Sequence, residues 1–173
     1  MITDALVSFI PIGSNVAITN VPVRSNVYDF LGSGVGTAPH NIIGNRTLAG
    51  ADLGIGGIRP QFEVLVGTAF AGGTSLNVAY QAAPDLGTPT YQPGAWQTIM
   101  ETGAILTANL TAAQILARFD FMPNFPANLN PRYLSLLFTP VGVFTGGTIS
   151  SAPVTMVRDD QANKFASNNF SVR

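Results

Sequence analysis

Four segments of this chain place large apolar residues at every second position, with glycine or proline between them. Residues 61–67 read QFEVLVG, which sets Phe62, Val64 and Val66 on one face. Residues 75–81 read SLNVAYQ and group Leu76, Val78 and Tyr80. Residues 112–121 carry Ile115, Ala117, Phe119 and Phe121 at the same period, and residues 132–139 carry Leu134, Leu136 and Phe138 between Pro131 and Pro140. An extended backbone turns successive side chains to opposite faces, so this period specifies half-buried strands rather than helices. Phe62, Val64, Val66, Leu76, Val78, Phe119, Leu134, Leu136 and Phe138 are the expected core.

Shorter strand candidates lie at 16–24 (interrupted by Pro22), 27–31, 95–102 and 148–158, where Pro153 marks a bulge or a sheet edge. The link Phe70-Ala-Gly-Gly-Thr74 has hairpin composition. Residues 85–94 read as a loop. Thr111-Ala-Ala-Gln114 fits a helical capping box, so a short helix could open its segment before the alternation takes over. With Gly 18 and Pro 12, the chain is rich in turns. The expected fold is all-β, a jelly-roll sandwich of about eight antiparallel strands rather than a set of βαβ units. At 173 residues it is one domain. Within it, 1–60 is a glycine-rich extended region packed on the same domain, 61–158 the jelly-roll core and 159–173 a C-terminal docking tail.

Charge is scarce. Lys and Arg number 8 and Asp and Glu 9, or 10% of residues, where soluble domains carry about 25%. An isolated monomer usually holds more charge than this, so partners are expected to cover much of the exterior. A dimer or trimer is one such arrangement. A net charge of −1 offers no general attraction to phosphate backbones, which argues against nucleic acid. The chain has no cysteine and one histidine, His40, so disulfides, thiolate ligands and multi-histidine metal sites are excluded. It has no apolar run of about 18 residues that would span a membrane. The opening MITDALVSFIPIG lacks the basic flank of a secretory signal.

Each chemical motif has a plainer explanation. Gly32-x-Gly34-x-Gly36 lacks the Lys and Ser/Thr of a phosphate loop, and Pro39 follows where a dinucleotide fold needs a helix, so a flexible loop is expected. His40 sits in a Pro-His-Asn loop with no nucleophile elbow in the chain. Glu63 and Glu101 would form a glycosidase carboxylate pair if their strands were adjacent; ordinary solvent-facing strand positions are the better explanation. Asp159-Asp160 lacks the alternating ligands of a calcium loop. Sequons at Asn45, Asn109 and Asn169 are chance-level matches. Trp96, Tyr91 and Tyr80 would make a sugar-stacking platform if they shared an exposed face, and this keeps a carbohydrate-binding module as the alternative. No catalytic, cofactor or metal residues are expected, and the protein is read as not an enzyme.

The tail RDDQANKFASNNFSVR differs from the rest. It holds five charges and two isolated aromatics, Phe165 and Phe170, in 16 residues. An unanchored tail usually lacks such rings. Arg158, Asp159, Asp160, Lys164, Phe165 and Phe170 are therefore the candidate partner contacts.

The run DFLGSGVGTAPHNIIGNRTLAGADLGIGGIRPQ at 29–61 resembles the capsid cement, or decoration, proteins of short-tailed bacteriophages of the Bordetella-phage type. The likeness continues through QPGAWQT at 92–98, ARFD at 117–120 and VTMVRDDQANKF at 154–165, and so covers nearly the whole chain. GNRT and VRDDQ are its most specific elements. The resemblance implies a jelly-roll virion protein, made in the host cytoplasm and bound to the outer surface of the capsid. There it would bridge neighbouring subunits of the major capsid protein, without catalysis or cofactor.

Overall fold

The structure is a computed structural model that describes residues 2–11, 13–29, 33–37, 47–49, 61–87, 92–121, 123–126, 128–151 and 153–156. The chain is all-β, and every strand pairing among these residues is antiparallel.

The strands fall into eight rows in chain order. Row one is β1 (Ile2–Ser8) with β2 (Val16–Ala17), and row two is β3 (Val23–Arg24) with β4 (Tyr28–Asp29). A separate ribbon, β5 (Ser33–Thr37) and β6 (Thr47–Ala49), follows. Row three is β7 (Gln61–Val66); after the two-residue β8 (Ala71–Gly72), row four is β9 (Ser75–Ala83). Row five is β10 (Gln97–Glu101) with β11 (Ile105–Leu106), and row six is β12 (Ile115–Asp120). Row seven is β13 (Tyr133–Val141). Beyond β14 (Phe144–Gly146), row eight is β15 (Thr148–Ser151) with β16 (Pro153–Met156).

Two four-row sheets result. In one, the neighbours run row one, eight, three, six; in the other they run two, seven, four, five. The apolar faces of the two sheets meet in one core. Phe62, Val64 and Val66 of β7 and Ile149 of β15 pack with Leu76, Val78 and Tyr80 of β9 and Leu134, Leu136 and Phe138 of β13. All nine residues expected in the core are buried. Edge-to-face rings tie the layers together: Phe62 lies 5.0 Å from Tyr80 and 5.0 Å from Phe9.

Tyr80 also donates its hydroxyl to the Phe121 carbonyl at 2.6 Å. Burial pushes its phenol well above the ordinary value. The folded state therefore holds Tyr80 neutral where the unfolded chain would ionise it. Stability contributed this way is full below about pH 10 and is lost as pH rises above it, at roughly 1.4 kcal/mol per pH unit for one such group. Alkaline unfolding followed by circular dichroism should show this fall, and Tyr80→Phe should flatten it.

Several local expectations are corrected. The 70–74 link is not a hairpin, because β7 and β9 belong to different sheets; the link crosses between layers and lends β8 to a ribbon with β14. The capping box does not open a helix. Gln114 N–H bonds the Thr111 carbonyl at 3.1 Å, and Ala113 sits at φ +62°, a left-handed conformation that ends any helical run. The lone helical turn described is a 3₁₀ turn at Thr107–Asn109. Residues 33–37 of the glycine-rich stretch form β5 rather than a flexible loop. Strand β13 continues through Pro140, which is tolerated because β3 covers that flank only at Leu137 and Phe138. Pro153 opens β16 and pairs with Ser8 of β1 next to a register irregularity, in a row flanked by both β1 and β7, so of the two expectations the bulge fits and the sheet edge does not.

Candidate functional site

The two ends of the sandwich have opposite chemistry. At one end, Arg132 precedes β13, Asp29 ends β4 and Asp85 follows β9. The Arg132 guanidinium donates Nε and Nη2 to the two carboxylate oxygens of Asp29, at 2.8 and 3.0 Å. Its Nη1 reaches Asp85, and its carbon lies 5.1 Å from the Tyr133 ring centre. These hydrogen bonds, that of Asp29 foremost, push the guanidinium still further above its ordinary range. The cluster clamps rows two, four and seven at that end.

Arg24 of β3 makes a second station, on the outer face of its sheet. Its Nη2 donates to Gln81 at 2.8 Å, and Gln81 passes a hydrogen bond to Thr98 at 3.0 Å. Its carbon lies 4.2 Å from the Trp96 ring centre, while Nη1 is buried without an acceptor. Burial lowers its pKa. The Trp96 π face is what this cation has beside it in place of a carboxylate.

The opposite end is built from the turns at 17–22, 67–74, 107–114 and 142–147, none of which contains a charged residue. The four are stitched together by main-chain hydrogen bonds. Phe144 N–H bonds Thr19 O at 3.0 Å and Gly73 N–H bonds Val143 O at 2.7 Å; Thr107 N–H bonds Thr74 O at 3.1 Å and Phe70 N–H bonds Leu110 O at 3.0 Å. Beneath them Phe70 and Phe144 meet edge to face at 5.0 Å. Val21, Leu106, Ile115, Val141 and Val143 are exposed at this end.

The sequence candidates are separated by this geometry. Glu63 on β7 and Glu101 on β10 lie in different sheets, so they form no catalytic pair. Glu63 faces Arg118 across the β7–β12 register and is ion-paired to it, and Glu101 accepts from Asn77 at 2.9 Å. Glu63 is buried rather than solvent-facing. Tyr80 is buried in the core and cannot join Trp96 in a sugar platform. His40, Tyr91, Asn45 and Asn169 lie outside the described residues, as do the tail candidates Arg158, Asp159, Asp160, Lys164, Phe165 and Phe170. Among the described residues, no group of three or more His, Cys, Asp or Glu is placed to hold a metal ion.

Sequence reasoning missed both the Arg132 clamp and the charge-free end. The clamp partners lie 103 and 47 positions apart, so no local motif marks them. The charge-free end did leave a signal: residues 5–23, 64–84, 102–117 and 133–157 are uncharged runs that each contain one of the four turns.

What these features define is an all-β antiparallel protein of two main sheets, with one charged end and, among the described residues, one end built from uncharged turns. Comparison with known proteins finds no matching family and no matching curated protein.

Proposed function

We propose that this protein is a structural virion component. It binds the outside of a phage head as a jelly-roll cement protein and bridges neighbouring subunits of the major capsid protein. The observation that carries the reading furthest is the strand order. Rows one and eight, two and seven, three and six, and four and five are neighbours, which makes the chain one long hairpin whose tip is the 84–96 connection. Rolled so that alternate rungs fall in alternate sheets, it gives the added contacts eight to three and seven to four. That winding is the one a jelly roll requires, and it supports the jelly-roll reading. The near-full-length resemblance to phage cement proteins gives the winding its functional meaning.

Cement action needs no chemistry at the shell. A protein that binds assembled subunits and not free ones stabilises the assembly by mass action, and weak contacts repeated over a lattice act multivalently. A surface with few charges suits wide contacts, because unpaired charges are costly to desolvate.

The C-terminal tail is assigned a docking role. Strand β16 ends at Met156, with Thr155 paired to Gln61 of β7, and the tail that follows lies outside the described residues. The test is sedimentation of the purified chain with heads that lack it. The full chain should pellet with the heads. A chain ending at Asp160 should stay folded by circular dichroism and bind at least about tenfold more weakly, roughly 1.4 kcal/mol. Equal binding of the two at matched salt would remove the tail from the contact.

A further inference from the structure

On the outer face of the second sheet, side chains from its two edges meet. Arg24 lies on β3 at one edge, and Trp96 immediately precedes β10 at the other. They come together above the strands between them, the guanidinium carbon 4.2 Å from the ring centre. Beneath, the outward-facing Ser135 and Gln81 are buried. We infer that this arch is the gate of a binding site for an acidic sugar, with Arg24 taking the carboxylate and Trp96 stacking on the sugar ring.

The unmatched charge points to an anion. Of the described arginines, Arg118 is ion-paired to Glu63, and Arg132 to Asp29 and Asp85. Arg24 makes no ion pair among the described residues, and its Nη1 is buried without an acceptor. Leaving such a donor unpaired is costly, and a ligand acceptor that reaches it recovers the cost. The fork is already aimed. Nη2 donates to Gln81 at 2.8 Å, and Gln81 is anchored in turn on Thr98 at 3.0 Å. A rigid planar donor of this kind matches a carboxylate. The Trp96 ring is held over it by the cation–π contact, so lifting the ring opens the fork and frees a π face for the ligand.

The strand register extends the site into a track. Arg24, Leu137, Ala79 and Glu101 stand in one outward-facing row across β3, β13, β9 and β10. Three strand spacings separate its ends, roughly 14 Å, which suits a short oligosaccharide. The row runs from a cation, past two apolar side chains, to an exposed carboxylate that already accepts from Asn77 at 2.9 Å. A sugar chain has the same make-up, with apolar C–H faces and hydroxyls that donate. Glu101 suits those hydroxyls, and its charge turns away a ligand that is acidic along its whole length. One acidic ring followed by neutral ones is the ligand that fits both ends.

Trp96 is the chain's only tryptophan, so its fluorescence reads the site directly. The test titrates the full chain, without heads, with sialyllactose, glucuronic acid, lactose and sodium acetate at constant ionic strength. Both acidic sugars should shift the emission saturably, and lactose and acetate should bind at least about tenfold more weakly than sialyllactose. Arg24→Gln should abolish the preference for sialyllactose over lactose. Arg24→Lys keeps the charge without the fork and should retain part of it; circular dichroism checks that both variants fold. No saturable shift with either acidic sugar would overturn the inference, as would an unchanged preference in Arg24→Gln. Acetate bound as tightly as the sugars would overturn it too, because the fork would then be a socket for any carboxylate, a protein side chain included. The site does not rest on capsid binding, so its failure and failure of the cement reading are separable.

Discussion

Replacing Phe62 with alanine is expected to lower the unfolding free energy by about 3–5 kcal/mol, the usual cost of removing a large buried ring. Phe62 lies at the centre of the sandwich and is fully buried. Its ring meets Phe9 from row one, Tyr80 from the opposite sheet and Phe119 from row six, at 5.0, 5.0 and 5.5 Å. Alanine would open a cavity bordered by three aromatic rings on three different rows, none of which can move in without leaving its own partners. Urea unfolding should show a lower midpoint with an unchanged slope, because the surface exposed on unfolding is nearly the same. A loss below about 1 kcal/mol would mean that the ring cluster is not the centre of the core.

Gly147→Ala should cost about 3 kcal/mol, the sum of a forbidden backbone conformation and overpacking. Gly147 has φ +130°, which side-chain-bearing residues rarely adopt. A methyl group there would also come within 2.9 Å of the Phe70 Cα, a main-chain atom that cannot rotate away. Phe70 is pinned in turn against Phe144. Gly13, also at positive φ, has nothing near its missing side chain. Gly13→Ala should therefore cost about 1 kcal/mol, the backbone share alone. Thermal unfolding of the two variants side by side separates the terms, and equal losses would contradict the close packing at Phe70.

Legibility in the sequence followed the range of the physics. Period-two alternation is local, and it identified β7, β9, β12 and β13 together with their buried faces. Strand β1 was missed because ITDALVS does not alternate; its position depends on pairing with β16, about 150 residues away. The 70–74 link shows the same limit, since its glycines report a turn and not which sheet the next strand joins. Thr111-Ala-Ala-Gln114 carries a real capping signal, and the demand that β12 begin against β7 overrides it. At the level of the site, the Glu63–Glu101 pair failed on sheet assignment and the Arg132 clamp on sequence separation. The charge-free end could have been read from the spacing of the 17 charged residues, had the four turns been known to converge.

The proposed cementing of a phage shell is tested most directly by the disruption temperature of heads that lack the protein, titrated with the purified chain. Saturating protein should raise that temperature, with the increment growing with the logarithm of free protein concentration, as linkage requires of a ligand bound to the assembled state alone. Heads that neither bind the protein nor gain any stability from it would contradict the account.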